Sequence, residues 1–401
     1  MDKSITNSTG RMTYGFILML CLLVTASVQA QNTAVEHKID SLITRMTLQE
    51  KIDMIHASSS FTSGGVKRLG IPELVMSDGP HGVRYEHGRG WTISDDPANR
   101  VTYLPTEITL ASTWNPKLAY SFGRVLGSEA KYRGKDMILG PAINIIRTPL
   151  DGRNFEYMSE DPYLVSQMAV QYIKGVQDQG IAACVKHYIA NNQETNRTTV
   201  DVGMSDRAFH EIYLPGFKAA VRQGHVLAVM GSYNKFRGQY ATENAFLVNK
   251  VLKDQLGFKG VLVSDWGAVH STMEALLNGT DIEMGTDLGM LPNPDYSKFF
   301  MGDTVAALVK EGQVPESVID DKVRRILRVM FAIHKFGHRS PGAINIPAHQ
   351  ETALKVAEEG IVLLKNNDHI LPLNIKDVKT IAVIGANADI KFASGGGSSQ
   401  V

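Results

Sequence analysis

At several points of this chain, polar and charged side chains follow directly on short apolar runs. Asp78 comes after Leu74–Ser77, Lys186 and His187 after Ile181–Val185, and Asp265 and Trp266 after Val261–Ser264. Ser232, Tyr233 and Asn234 follow the run that begins at Val226. Carboxylates and cations fork hydrogen bonds to hydroxyl groups, and an indole covers an apolar sugar face, so this mixture suits a carbohydrate. A buried carboxylate flanked by cations stays ionised and can serve as a nucleophile. Taken singly, each position has a plainer reading. A strand-end Asp can cap the next helix, Lys186 can be half of an ordinary ion pair, and His187 can be a satisfied core histidine. Their recurrence in phase is what points to a site.

The elements that must position them alternate. Leu74–Ser77, Met137–Leu139, Ile181–Val185, Val226–Met230 and Val261–Ser264 read as buried strands. Between them, residues 206–223 place Phe209, Ile212, Tyr213, Phe217, Ala220 and Val221 on one helical face. Residues 316–334 do the same with Val318, Val323, Ile326, Leu327 and Met330, and their interleaved Lys and Arg form a solvated face. Strand alternating with helix predicts a parallel α/β fold, whose active sites lie at strand ends. A (β/α)8 TIM-like barrel needs about 250 residues, which the chain supplies; the pattern alone also allows an open doubly wound sheet.

A turn-rich break, His338–Gly342, follows near Phe336. Beyond it residues 351–367 read as helix and Thr380–Gly385 as a new buried strand. So short a stretch cannot bury a core of its own, and 341–401 is expected to be a linker and the incomplete start of a second domain.

Composition narrows the function. With 41 basic and 41 acidic residues the chain has no basic excess to release counterions, which argues against nucleic acid. The histidines at 81, 87, 187, 210, 225 and 270 show no close ligand spacing, so no metal is expected. The glycines at 395–397 lack a following Lys-Ser/Thr, so no phosphate loop and no cofactor is expected either. Lys3 and Arg11 precede an apolar run, Phe16–Val24, and then Val28-Gln29-Ala30, the pattern of a cleavable leader over residues 1–30. The run is too short to span a membrane, and the mature chain is expected to be secreted or periplasmic. Cys21 leaves with the leader, and Cys184, inside an apolar run, reads as a buried inert thiol. The glycosylation-type sequons at Asn7, Asn196 and Asn278 carry little weight.

Five ordered segments together resemble glycoside hydrolase family 3. They are Met76-Ser77-Asp78-Gly79-Pro80-His81-Gly82-Val83-Arg84; Pro149–Glu156 with Ser159-Glu160-Asp161-Pro162; and Lys186-His187-Tyr188 with Asn191, Glu194 and Arg197. Gly231-Ser232-Tyr233-Asn234 and Ser264-Asp265-Trp266-Gly267 complete the set. Val362-Leu363-Leu364-Lys365-Asn366 and the final Gly-rich run resemble the entry to the family's second, α/β sandwich domain. The resemblance covers essentially all of the chain after the leader.

The resemblance implies a barrel over residues 31–340 and a retaining, exo-acting β-glycosidase of the β-glucosidase-like branch, without cofactor or metal. Its substrate would be an oligosaccharide or an aryl or alkyl β-glycoside. It makes Asp265 the nucleophile, and it assigns Asp78, Arg153, Lys186 and His187 to the hydroxyls of the terminal sugar. It puts Trp266 beside that sugar and Tyr233 near the nucleophile. In the family's glucosidase branch the acid/base Glu comes from the second domain, so the resemblance implies that it lies beyond Val401; none of Glu156, Glu160 or Glu194 matches that role. The family's single-domain β-N-acetylhexosaminidases carry a second histidine in the segment that here reads Lys186-His187-Tyr188-Ile189-Ala190-Asn191-Asn192, so their mechanism is set aside. Thr280 stands where the family commonly has an aliphatic residue, and this touches no assigned role. β-Xylosidase specificity and a catalytically impaired sugar-binding remnant are the alternatives.

Overall fold

The structure is a computed structural model describing residues 33–84, 86–87, 92–93, 96–285, 294–390 and 397–401. The expected leader, residues 1–30, lies outside them. Two compact units are distinguished, Met1–Met46 and Thr47–Val401. In the first, residues 33–45 are helical; everything below concerns the second.

Seven strands form one sheet in the order β1 (Ala57–Ser59), β2 (Thr62–Ser63), β3 (Leu74–Ser77), β4 (Met137–Ile138), β5 (Ala182–Tyr188), β6 (Ala228–Gly231) and β7 (Val261–Ser264). Residues 282–283 close it. Ile282 bridges Val263 of β7 and Glu283 bridges His56, beside β1. The result is a TIM-like barrel, not an open sheet. It departs from eight repeated units at one place: β2 runs antiparallel to both neighbours. Only Ser60 and Phe61 join β1 to β2, and so short a link makes a hairpin, whereas a parallel return needs a long crossover. From β3 to β7 the pairing is parallel throughout.

β5 is buried at all seven positions, as expected for a parallel strand covered on both faces. It runs three residues further than its apolar stretch, so Lys186 and His187 lie within the strand and not after it. Their polar ends are satisfied inside the barrel, which makes a buried strand position tolerable.

The outer helices follow their caps. α1 (Pro116–Tyr132) and α2 (Pro162–Gln177) each begin with Pro after a capping Asn115 or Asp161, whose side chains accept first-turn N–H groups. They pack closely because Gly123 and Gly175 have no side chain. A Cβ on Gly123 would sit 2.2 Å from the Tyr172 carbonyl oxygen, and one on Gly175 2.1 Å from that of Tyr120. The helix expected over 206–223 is interrupted. Pro215 has no N–H, the chain makes a π-type turn over Phe209–Tyr213, and α3 spans Pro215–Arg222. α4 spans Glu316–Ala332.

Past the barrel, α5 covers Pro347–Gly360, shorter at its end than the expected 351–367. Its terminal Gly360 abuts Thr109, where a Cβ would meet the threonine methyl at 2.6 Å. The Glu129 carboxylate docks this region, accepting from Asn345 N at 2.9 Å and pairing with His349 Nδ1 at 2.7 Å. Thr380–Gly385 forms no strand, and Ile381, Val383 and Ile384 are exposed. A strand needs a neighbour for its N–H and C=O groups, and none among the described residues pairs with this run.

At the start of β4, Asp136 is fully buried. It accepts from Val75 N at 2.9 Å and pairs with Lys335 at 2.6 Å and Arg339 at 2.8 Å. Asp136→Ala strands those cations and should lower unfolding free energy by about 3–5 kcal/mol in a denaturant titration. An unchanged midpoint would contradict this reading of the pairs.

Candidate active site

The strand ends on one rim of the barrel bring the expected residues together. Asp78 follows β3, Lys186 and His187 lie in the last three residues of β5, Tyr233 lies in the turn after β6, and Asp265 and Trp266 follow β7. Arg153 arrives on the long loop after β4, just ahead of the tight turn Asn154–Glu156.

A continuous polar row links them. Lys186 Nζ donates to Asp78 Oδ1 at 3.0 Å and lies 3.4 Å from Glu156 Oε2. Glu156 is bound on its other oxygen by Arg153 Nε. An Arg153 terminal nitrogen reaches His187 Nε2 at 2.8 Å, and that ring nitrogen lies 3.6 Å from Asp265 Oδ2. Lys186 is 2% exposed, so its ammonium depends on both carboxylates.

Protonation follows from these surroundings. Burial opposes the charge on Asp78, yet Lys186 outweighs it and holds the carboxyl below its usual range. Glu156 is likewise held down against burial by Arg153 and Lys186. Burial, reinforced by Arg153 and Lys186, pushes His187 well below the usual imidazole value, so the ring is neutral. Asn144 fixes its tautomer. Asn144 Oδ1 accepts from His187 N at 2.9 Å and faces Nδ1 at 3.2 Å, while Asn144 Nδ2 donates to the His187 carbonyl at 2.9 Å. With the proton on Nδ1, Nε2 is left to accept from Arg153.

Asp265 sits in a different balance from Asp78 and Glu156. Burial raises its carboxyl above the usual value; Arg153, Lys186, the Trp266 N–H and Tyr233 counter that rise without cancelling it. Its Oδ1 accepts from Trp266 N at 2.7 Å. Its Oδ2 is buried and accepts no hydrogen bond among the described residues. The Tyr233 hydroxyl donates to the Trp266 carbonyl at 3.0 Å, and burial and then Asp265 push that phenol up, keeping it protonated. Trp266 donates its indole N–H to Ser60 O at 2.8 Å and leans on Phe61 with ring centroids 5.5 Å apart. Gly285 permits this placement, since a Cβ there would lie 2.5 Å from the indole.

Three further groups shape the site without having been picked out by sequence. Glu156 lies in a recognised motif but carried no role. Asn144 interrupts the apolar run Ala142–Ile146, which was its only signal. Glu107 stands in the first turn of the helix Glu107–Ser112. It is fully buried, accepts from Ala142 N at 3.2 Å, and is pushed well above its usual value by burial and then Glu156. The chain's last residues also reach the rim, where Ser398 donates to Glu156 Oε2 at 3.0 Å and Gln400 Oε1 accepts from Arg84 at 3.3 Å.

A TIM-like barrel with carboxylates, cations and an indole gathered at its strand ends is the architecture of a barrel glycoside hydrolase. Comparison with known proteins gives the family. The Glycosyl hydrolase family 3 N terminal domain matches residues 20–329, and the Glycosyl hydrolase family 3 C-terminal domain matches residues 361–401. A β-glucosidase of Bacteroides ovatus is 46% identical over 92% of this chain and 50% of its own length. An exo-α-(1→6)-L-arabinopyranosidase of Bifidobacterium longum is 36% identical over 89% of this chain and 46% of its own length. The solved structure of β-glucosidase 3B from Thermotoga neapolitana in complex with α-D-glucose has a TM-score of 0.82 and 36% identity, covering 90% of this chain and 52% of that one. The chain belongs to glycosyl hydrolase family 3. It spans about half the length of the curated relatives it matches.

The neutral Nδ1–H form of His187 is testable. Imidazole nitrogen shifts should show one protonated nitrogen from neutral pH down to well below 6.5, its ordinary pKa. An imidazolium signal at pH 6 would contradict it.

Proposed function

We propose that the protein of which this chain forms the barrel is a retaining, exo-acting β-glycosidase, β-glucosidase-like in specificity. It would release terminal non-reducing β-linked sugars through a covalent glycosyl-Asp265 intermediate. The observation that carries this reading is the buried Oδ2 of Asp265, which accepts no hydrogen bond among the described residues and faces His187 Nε2 at 3.6 Å. Attack on an anomeric carbon needs one oxygen lone pair free and the other oxygen held, and the Trp266 N–H holds the other.

Asp78, Arg153, Lys186 and His187 would bind the sugar's hydroxyls. Their mutual contacts hold them oriented before substrate arrives, so little ordering remains to be done on binding. Trp266 would cover the apolar face of the ring, and the protonated Tyr233 would stand beside the nucleophile. The second carboxyl group of a retaining mechanism lies about 5–5.5 Å from the first and must be protonated as the leaving group departs. Glu156, held ionised by Arg153 and Lys186, is unsuited to that task. The family resemblance assigns the acid/base Glu to the second domain. Relatives named for glucose support a glucose-type site, with xylose as the closest competitor in shape. The leader-like residues 1–30 support export to the periplasm or the medium. Residues 31–340 would form the barrel domain and 341–401 the linker and beginning of the second.

2,4-Dinitrophenyl β-glucoside, whose leaving group needs little protonation, tests this directly. Proton NMR should show β-glucose before mutarotation, faster turnover than of the xyloside, and at least about a 10³-fold loss in Asp265→Asn. Because burial raises Asp265, the acid limb of the rate should fall at a pH above that of a free aspartate. α-Glucose formed first, or full activity in Asp265→Asn, would contradict the reading.

A further inference from the structure

The turn that presents Asp265 is clamped from behind by a segment with no part in the polar row. Residues 265–271 leave β7, and Ala268 N donates back to the Asp265 carbonyl at 3.0 Å, closing a tight turn. Thr242 grips that turn, its hydroxyl donating to the Ala268 carbonyl at 2.6 Å. Glu243 holds the far end, one carboxylate oxygen accepting from His270 N at 2.5 Å and Ser271 N at 2.7 Å. The Tyr240 ring stacks on His270 with centroids 3.6 Å apart and planes 17° from parallel.

The clamp is itself fixed. Ala241 N donates to Asn234 O at 3.0 Å, and the side chains of Asn278 and Thr280 donate to the carbonyls of Glu243 and Thr242. Thr242 also packs on the end of β6, where a Cβ on Gly231 would lie 2.6 Å from its methyl. Thr242 is fully buried and Glu243 nearly so. A carboxylate buried without a cation is unfavourable, and two convergent backbone N–H groups are what keep Glu243 in place.

We propose that Thr242 and Glu243 are positioning residues for the reaction: they set the backbone turn that aims the free oxygen of Asp265, without touching substrate. The inference rests on Asp265 being the nucleophile. Because Asp78, Arg153, Lys186 and His187 are held by one another and by Asn144, and the Trp266 indole is anchored by Ser60 and Phe61, loosening this clamp should slow attack while leaving sugar binding nearly unchanged. A displacement of about 1 Å at a reacting atom can cost on the order of 10²-fold in rate.

The test is the stopped-flow burst of dinitrophenolate from 2,4-dinitrophenyl β-glucoside, which reports formation of the glycosyl-enzyme. Glu243→Ala should slow the burst about 10- to 100-fold, with the half-saturating concentration within about 3-fold of the parent's. Glu243→Gln, which keeps an acceptor oxygen at the same reach, should recover most of that loss. Thr242→Val, nearly isosteric, should slow the burst by about 3- to 10-fold and settles the matter should Glu243→Ala not fold. A parent-like burst rate in Glu243→Ala or in Thr242→Val would overturn the inference, as would a loss confined to half-saturation. A burst surviving in Asp265→Asn, or a parent protein that gives neither a burst nor a label with 2-deoxy-2-fluoro-β-glucosyl fluoride, would overturn the nucleophile reading instead.

Discussion

The ammonium of Lys186, buried on a central strand, is the constraint on which the site depends. Removing such a charge from water costs several kcal/mol, and the cost is offset only where carboxylates meet it with good geometry. Here two do: Asp78 from the end of β3 and Glu156 from the loop after β4. Glu156 then requires Arg153, and Arg153 lies against His187, whose tautomer is set by Asn144. One buried cation thus ties two strand ends and a loop into a single arrangement, which in the proposed reading would line up hydroxyl-binding groups before a sugar is present.

The same row explains why Asp265 stands apart. Its three carboxylates, Asp78, Glu156 and Asp265, face two permanent cations, and Lys186 and Arg153 are each in closer contact with the other acids. Among the described residues the Oδ2 of Asp265 meets only a neutral imidazole, at 3.6 Å, and burial raises its proton affinity. A carboxylate kept comparatively unsolvated and weakly paired is a stronger nucleophile than one locked into a salt bridge, and it keeps one oxygen clear for an incoming carbon. The clamp formed by Thr242 and Glu243 fits the proposed division: the polar row would orient a substrate, and a separate set of backbone contacts would orient the attacking atom.

Much of this was legible in the chain. Asp78 and Asp265 stand immediately after apolar runs that do become β3 and β7, so a short-range rule located them. Lys186 and His187 were found by the same rule for a partly mistaken reason, since they continue the strand; charged residues read as a strand's end unless their partners, Asp78 and Asn144, are known. Arg153 lies on a long loop without periodicity, and only its motif exposed it. Asn144 and Glu107 stayed hidden because their importance comes from long-range contacts. The reversed β2 was missed because two polar residues in an antiparallel hairpin leave no apolar run. Thr380–Gly385 showed the opposite error: a strand-like composition does not make a strand where no neighbour among the described residues pairs with it.

The central claim, that Asp265 is the atom-bearing nucleophile of a prearranged sugar site, is tested most directly by intact mass and peptide mapping after incubation with 2-deoxy-2-fluoro-β-glucosyl fluoride. The fluorine slows breakdown of a glycosyl-enzyme, and the fluoride leaving group needs little help from an acid. A gain of one fluoroglucosyl unit carried on Asp265 is the result predicted. A label on Glu156, Glu194 or another carboxylate, or none on a folded protein that binds glucose, would contradict it.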